Sequence, residues 1–119
     1  WALTAEKIEY YPRSKSVVLT NLKGQFYQDN VTTTVAAPHA VLSGDRSSLD
    51  IDGGITATNT DEAVLKTSAL HFDNKTKQFT SQSAFTYESK DVILTGDKLE
   101  GNMALKQISA VGNAKLTKK

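Results

Sequence analysis

Few side chains in this 119-residue chain could support nucleophilic or acid–base catalysis. The chain has two histidines, His39 and His71. A histidine beside a serine and an aspartate can form a catalytic triad, but no G-x-S-x-G elbow or other catalytic signature accompanies either one. We therefore interpret both histidines as residues on the surface of strands and predict that the protein is not an enzyme.

Three aspartates near a glycine-rich turn are the other candidate for chemistry. Asp45, Asp50 and Asp52 precede Gly53, and Asp50-x-Asp52-Gly53 resembles the start of a calcium-binding loop. Such a loop closes with a bidentate glutamate, which this sequence lacks at that place. The chain also has no cysteine, which excludes disulfides and thiolate metal sites. We interpret the aspartates as a polar strand face and predict no metal and no cofactor.

The composition indicates one globular domain spanning 1–119. The net charge of +1 argues against non-specific nucleic-acid binding, which needs a clearly basic surface. No apolar run approaches the ~20 residues of a membrane span. Because the chain starts at Trp1 directly before a patterned segment, we expect that an anchor or leader preceded it.

An eight-residue pattern occurs four times and must position any functional residues. Each copy opens with an aliphatic residue, has a small residue third and an apolar residue sixth. A fixed period of this size is typical of stacked supersecondary units. The octets begin at Leu3, Val35, Leu65 and Leu94, and a second apolar block follows each of them, beginning at Leu19, Leu49, Phe79 and Ile108.

The second block begins 14 residues after its octet in three units and 16 after it in the first. We attribute the difference to a two-residue insertion in the turn at 11–16. Polar turn sequences separate the two halves of a unit, and Val, Ile, Thr, Tyr and Phe dominate the halves. No segment of ten or more residues keeps a helical apolar period. Each unit is therefore predicted to be two strands joined by a turn.

The alternation inside the octet is broken. Leu3 and Ala5 share one parity, whereas Ile8 and Tyr10 have the other, so a flat strand would put the two pairs on opposite faces. Either a bulge at Glu6 and Lys7 returns all four to one face, or the strand crosses from one sheet surface to another. Both alternatives give bent strands, and two opposed sheets with exposed edges.

The pattern resembles a known family. The opening Trp-x-Leu-x-Ala, Leu19-x-x-Leu-x-Gly-x-Phe, Leu65-x-Thr-x-x-Leu-x-Phe, Leu94-x-Gly-x-x-Leu and Val111-Gly-Asn-Ala-x-Leu together are similar to the periplasmic domain of the LptC family of lipopolysaccharide export proteins. The resemblance covers nearly the whole chain, and the sister component LptA shares the repeat.

The resemblance implies an all-β fold, an open twisted β-jelly roll of antiparallel strands. It implies that lipopolysaccharide acyl chains lie between the sheets. It further implies that the N-terminal edge pairs with the ABC transporter complex LptBFG and the C-terminal edge with LptA. The whole protein would then be periplasmic and tethered to the inner membrane by an N-terminal helix, and end-to-end association of identical domains is left open.

The repeat also predicts which side chains face the interior, and the resemblance implies that these side chains contact lipid. The alternatives to this function are an LptA-type soluble bridge module and a structural or carbohydrate-binding β-module of the cell envelope with a sealed core. The predicted interior residues are Leu3, Ala5, Ile8, Leu22, Phe26, Val35, Leu49, Ile51, Ile55, Leu65, Leu70, Phe72, Phe85, Leu94, Leu99 and Val111.

Overall fold

The computed structural model describes residues 2–102, 105 and 107–119. Trp1, the first residue of the family-like opening motif, lies outside the described residues. No helix able to cross a membrane occurs in the described part of the chain. The strands are β1 Ala2–Tyr11, β2 Ser16–Gln28, β3 Val31–Leu42, β4 Ser48–Asn59, β5 Val64–Asp73, β6 Gln78–Ser81, β7 Phe85–Glu88, β8 Val92–Gly96, β9 Lys98–Asn102, β10 Ile108–Val111 and β11 Lys115–Lys118.

All strands belong to one antiparallel sheet that is not closed into a barrel, which confirms the predicted open all-β fold. The chain runs as a meander of eight passes. The first five passes are unbroken strands, β1 to β5. The last three are each split into two short strands, namely β6 with β7, β8 with β9, and β10 with β11.

The passes bend along one line that crosses the whole sheet, which we call the crease. Five strands contribute to it at Glu6, Asn21, Pro38, Gly53–Gly54 and Ser68, where the ladders of paired residues are interrupted. In the three split passes it falls on 82–84, 97 and 112–114. Asn21, Gly53, Gly54, Gly112 and Asn113 have positive φ, as sharp changes of strand direction favour.

In most strands, the parity of the side chains that face the interior changes at the crease. Leu19 and Leu22 are both buried although their parities differ, and the residue between them with positive φ, Asn21, reverses the side. Strand β4 differs, because Gly53–Gly54 adds one residue relative to both neighbouring strands and forms a β-bulge. The extra residue lets Ile51 and Ile55 keep one parity while both stay buried.

The parity break in the first octet is therefore a crossing and not a bulge. The β1–β2 register continues from Ala5 opposite Leu22 to Lys7 opposite Thr20 without a shift. Ile8 is opposite the buried Leu19, so both halves of the octet face the inside.

The predicted two-residue insertion in the first unit is wrong. The first turn joins Tyr11 to Ser16, which matches the turn joining Asp73 to Gln78 in the third unit. The position equivalent to Leu49 is Val17, because both occupy one row of the register with Leu42.

The crease divides the sheet into two half-sheets that pack face to face. Half-sheet I consists of 2–5, 22–28, 31–37, 55–59, 64–67, β7, β8 and β11, and half-sheet II consists of 7–11, 16–20, 39–42, 48–52, 69–73, β6, β9 and β10. Phe26 of half-sheet I meets Phe72 of half-sheet II edge to face, with ring centroids 5.2 Å apart. One apolar cluster joins both inner faces.

We predict that Gly54→Ala lowers the free energy of unfolding by about 1 kcal/mol or more, because a side chain disfavours positive φ. A Cβ at Gly54 would meet no atom within 4 Å, so the cost is conformational rather than steric. Urea denaturation measures the change. The control is D-alanine at the same position, for which positive φ is favourable; equal destabilisation by both residues would contradict this role of the crease.

We predict that acid weakens the turn at 43–47. Hydrogen bonds from Ser47 and Ser43 lower the Asp45 pKa from 3.8 to about 2. The turn therefore contributes its full stabilisation above about 3.8 and loses it as the pH falls towards about 2. The urea midpoint of Asp45→Asn should lie below that of the wild type at neutral pH, and the difference should shrink near pH 2. A difference that is constant with pH would contradict the prediction.

Candidate functional site

The candidate site is the apolar space between the two half-sheets. Its inner surface consists of rows of side chains that cross the strands. One row of half-sheet I contains the first residue of every octet: Leu3, Val35, Leu65 and Leu94, joined through Gly24, Ala57 and Tyr87. The corresponding row of half-sheet II contains the sixth: Ile8, Ala40, Leu70 and Leu99, joined through Leu19, Ile51 and Ser81.

The structure brings most predicted interior residues together. Three of them, Leu3, Ala5 and Leu94, are half-buried against the cluster near the ends of the sheet. Eleven are buried: Leu22, Phe26, Val35, Leu49, Ile51, Ile55, Leu65, Leu70, Phe72, Phe85 and Leu99.

Ile8 lies in an inner row but is not buried in the core. Its side chain is 57% exposed although its register partner Leu19 is buried. The reason is its position on the edge strand β1, where half-sheet I does not cover the inner face. Tyr10, in the next inner row opposite Val17, is 55% exposed for the same reason.

The placement of Val111 on the inner face is wrong. Val111 lies opposite Lys98, and its side chain is on the outer face with 53% exposed. The inward residue is its neighbour Ala110, which lies opposite the buried Leu99 and packs against the core.

The middle of the interior is nearly filled. A cavity of about 10 Å³ lies between the half-sheets, which is about the space that one water molecule needs. Half-sheet I lines it with residues such as Val35 and Leu65, and half-sheet II with Leu70, Phe72 and Phe79. An acyl chain therefore has room in the middle only if the half-sheets separate.

Leu105, between β9 and β10, is a buried wall of the same cavity that sequence reasoning missed. The Tyr87 hydroxyl donates a hydrogen bond to the Leu105 carbonyl at 3.4 Å. Burial, with a smaller contribution from Asp61, raises the pKa of Tyr87, so the hydroxyl stays protonated and able to donate. In the sequence, Leu105 is a single leucine in the link between β9 and β10, which has no equivalent in the repeat, so the repeat could not identify it.

Other missed residues did carry a signal. Leu42, Ala57 and Phe79 are buried and occupy positions that recur in the repeat. They belong to the same inner rows as the predicted residues. Their positions in the repeat therefore predict that these three residues are interior as well.

A hydrogen-bonded polar pair lies at the crease in the largely apolar interior. Thr67 and Ser81 are both buried, and their hydroxyl oxygens are 3.2 Å apart. The Thr67 hydroxyl is also 3.1 Å from the carbonyl of Ala84, to which it can donate. Ladder pairing between β5 and the next pass is interrupted there, so these bonds join the strands where the ladder does not.

Both histidines, Asp50 and Asp52 lie on the outer face of half-sheet II, whereas Asp45 lies in the turn at 43–47. His39 Nδ1 is 2.8 Å from Asp52 Oδ1, and His71 Nδ1 is 2.6 Å from Asp50 Oδ1. Each pair consists of directly opposite residues on neighbouring strands. These contacts are exposed cross-strand pairs, as the interpretation of surface histidines predicted.

A comparison with protein-family models identifies a family. A family model described as lipopolysaccharide-assembly, LptC-related, matches residues 1–117. No curated protein matches the chain.

We predict that Thr67→Val lowers the free energy of unfolding by about 1–2 kcal/mol. Valine has about the size of threonine but cannot hydrogen-bond, so the buried Ser81 hydroxyl and the Ala84 carbonyl lose a partner. Urea denaturation gives the value. Thr56→Val is the matched control, since Thr56 is exposed on the outer face of the neighbouring strand and should change stability by less than about 0.5 kcal/mol. Equal effects would contradict a role of the pair in joining the strands.

Proposed function

Since the chain belongs to the LptC-related family of lipopolysaccharide-assembly proteins, we propose that it carries lipopolysaccharide by holding acyl chains between its half-sheets. The family establishes a role in lipopolysaccharide transport as a periplasmic domain of an envelope transport system. The finer steps that follow are our proposal.

In this proposal lipopolysaccharide enters from LptBFG at the β1 edge and leaves to LptA at the edge formed by β10 and β11. Both edges carry strands that pair on one side only in the described structure. Such strands can accept a neighbouring strand through their unpaired backbone groups. An N-terminal helix would tether the domain to the inner membrane, and the same edges would serve end-to-end association of identical copies.

The observation that carries the proposal is an apolar interior that reaches exposed residues at both edges. At the β1 edge, Ile8 and Tyr10 continue inner rows and are more than half exposed. At the other edge, Leu116 lies opposite Leu94 and is 66% exposed. An acyl chain leaving a neighbouring module would meet apolar side chains first at these ends.

An acyl chain can enter only if the half-sheets separate, which costs the free energy of the contacts between them. Burying each CH₂ group contributes about 0.8 kcal/mol, so an acyl chain can offset contacts such as the one between Phe26 and Phe72. The crease provides a place to bend, because its backbone ladder is already interrupted. Apolar contact is non-directional, so a chain can slide along the rows, and the ATP-driven partner would supply the direction.

The filled interior favours a second candidate function. A cavity of about 10 Å³ also fits a sealed β-module that has a structural or carbohydrate-binding role in the envelope. The two candidates differ in one respect: lipid enters the interior in the first and stays outside it in the second.

Photo-crosslinking distinguishes the two candidates. We predict that benzoylphenylalanine at Phe72, on the inner face, labels lipopolysaccharide when the chain is incubated with it. The matched control is the same probe at His71, the preceding residue, whose side chain is on the outer face. Labelling from His71 but not from Phe72 would contradict the proposal and favour the sealed module.

We predict further that a charge in the interior abolishes this labelling. Phe72→Asp or Leu70→Asp should remove crosslinking from a probe at Phe85, because an unpaired carboxylate in apolar surroundings is costly. Circular dichroism checks the fold of each variant.

Ile8→Asp keeps the core intact, since Ile8 is mostly exposed. It should reduce labelling at the β1 edge. Unchanged labelling in a folded variant would contradict the proposed entry edge.

A further inference from the structure

Three turns lie side by side where the strands end and form a continuous surface. We call this surface the turn rim; it consists of 12–15, 43–47 and 74–77. The Arg46 Nη1 atom donates a hydrogen bond to the carbonyl of Lys15 at 2.7 Å and so joins the first two turns. The backbone N–H of Asn74 donates to the Ser47 carbonyl at 2.9 Å and joins the second and third. Neighbouring turns are two strand spacings apart, about 10 Å.

The turn rim is rich in basic residues. Asp45 lies within it and Asp73 directly beside it, and both carboxylates accept hydrogen bonds from their own turns. No ion pair within 4 Å forms among the described residues of the rim. The five basic residues, all exposed, are Arg13, Lys15, Arg46, Lys75 and Lys77.

The turns at the opposite ends of the strands have the reverse charge. The turns at 29–30, 60–63 and 89–91 contain four carboxylates and a single cation, Lys90, which pairs with Glu62 at 3.0 Å. The carboxylates are Asp29, Asp61, Glu62 and Asp91. Although the net charge of the chain is only +1, the basic residues are concentrated in one set of turns and the carboxylates in the other.

We propose that the turn rim docks on the headgroup surface of an anionic phospholipid bilayer. Arg13, Lys15 and Lys75 present flexible charges over about 20 Å, two turn spacings. An array of this kind suits a diffuse anionic surface better than one small ligand, because lysine ammonium groups are point charges without a fixed geometry. The surface lies outside the apolar interior, so the inference does not depend on the proposed lipid path.

The expected contribution is measurable. Each basic residue near an anionic membrane surface strengthens binding roughly fivefold. Three of them should therefore contribute on the order of 100-fold in the partition coefficient at low ionic strength, falling as salt screens the surface.

Vesicle co-sedimentation tests the proposal with the whole chain. Wild type should bind phosphatidylglycerol-containing vesicles and not pure phosphatidylcholine vesicles. The triple variant Arg13→Gln, Lys15→Gln, Lys75→Gln should lose on the order of 100-fold in the partition coefficient. Arg46 and Lys77 stay unchanged, because Arg46 holds three backbone carbonyls and Lys77 hydrogen-bonds to Asn74.

The matched control removes the same charge elsewhere. Lys23→Gln, Lys66→Gln, Lys115→Gln alters three lysines in one row on the outer face of half-sheet I. This variant should keep most of the binding. Equal losses in both triple variants would show a general charge effect and overturn the proposal, as would equal binding of wild type to both kinds of vesicle.

A second copy of the chain is the competing occupant of the rim. Sedimentation velocity without lipid should show no concentration-dependent association that depends on the rim. If the rim variant abolishes self-association and leaves vesicle binding unchanged, the rim contacts the acidic turns of another copy, and the proposal is wrong.

Discussion

The fold depends on the crease, where each pass of the sheet must change direction at the same level. The apolar face of a sheet must be buried against another layer. In this protein the second layer is the other half of the same sheet. Each strand meets the requirement with different residues: Asn21 with positive φ in β2, Pro38 in β3, and the Gly53–Gly54 bulge in β4. The last three passes break into separate strands instead. Interrupted ladders are the structural cost of an interior with apolar walls on both sides.

The crease also links the fold to the proposed function. Because all strands bend along one line, the inner rows run parallel to it from one edge of the sheet to the other. Both ends of these rows reach unpaired edges, and a path along them would cross no backbone ladder. The same geometry leaves the turns outside the interior, so their charges can serve a different contact. Lipid carriage and membrane docking would then involve separate surfaces of one domain.

Much of the fold could be predicted from the repeat, because the octets mark equivalent heights on alternate strands. Leu65, Leu70 and Phe72 were placed inside correctly for that reason. Ile8 also lies in an inner row, but it stays exposed because it belongs to the edge strand, where no opposing strand covers it. The error at Val111 came from the split last pass, where a one-residue change of position reverses the face. Burial of Leu105 depends on tertiary packing of a link, which no period encodes.

If lipopolysaccharide separates the half-sheets when it binds, the distance between spin labels on the two half-sheets must change. Spin labels at Lys66 and Glu100 would report on the outer faces of half-sheets I and II, since both residues are exposed. We expect the distance between the labels to increase when lipopolysaccharide is added and to return to its starting value when the lipid is removed. An unchanged distance under conditions where lipopolysaccharide is bound would contradict it.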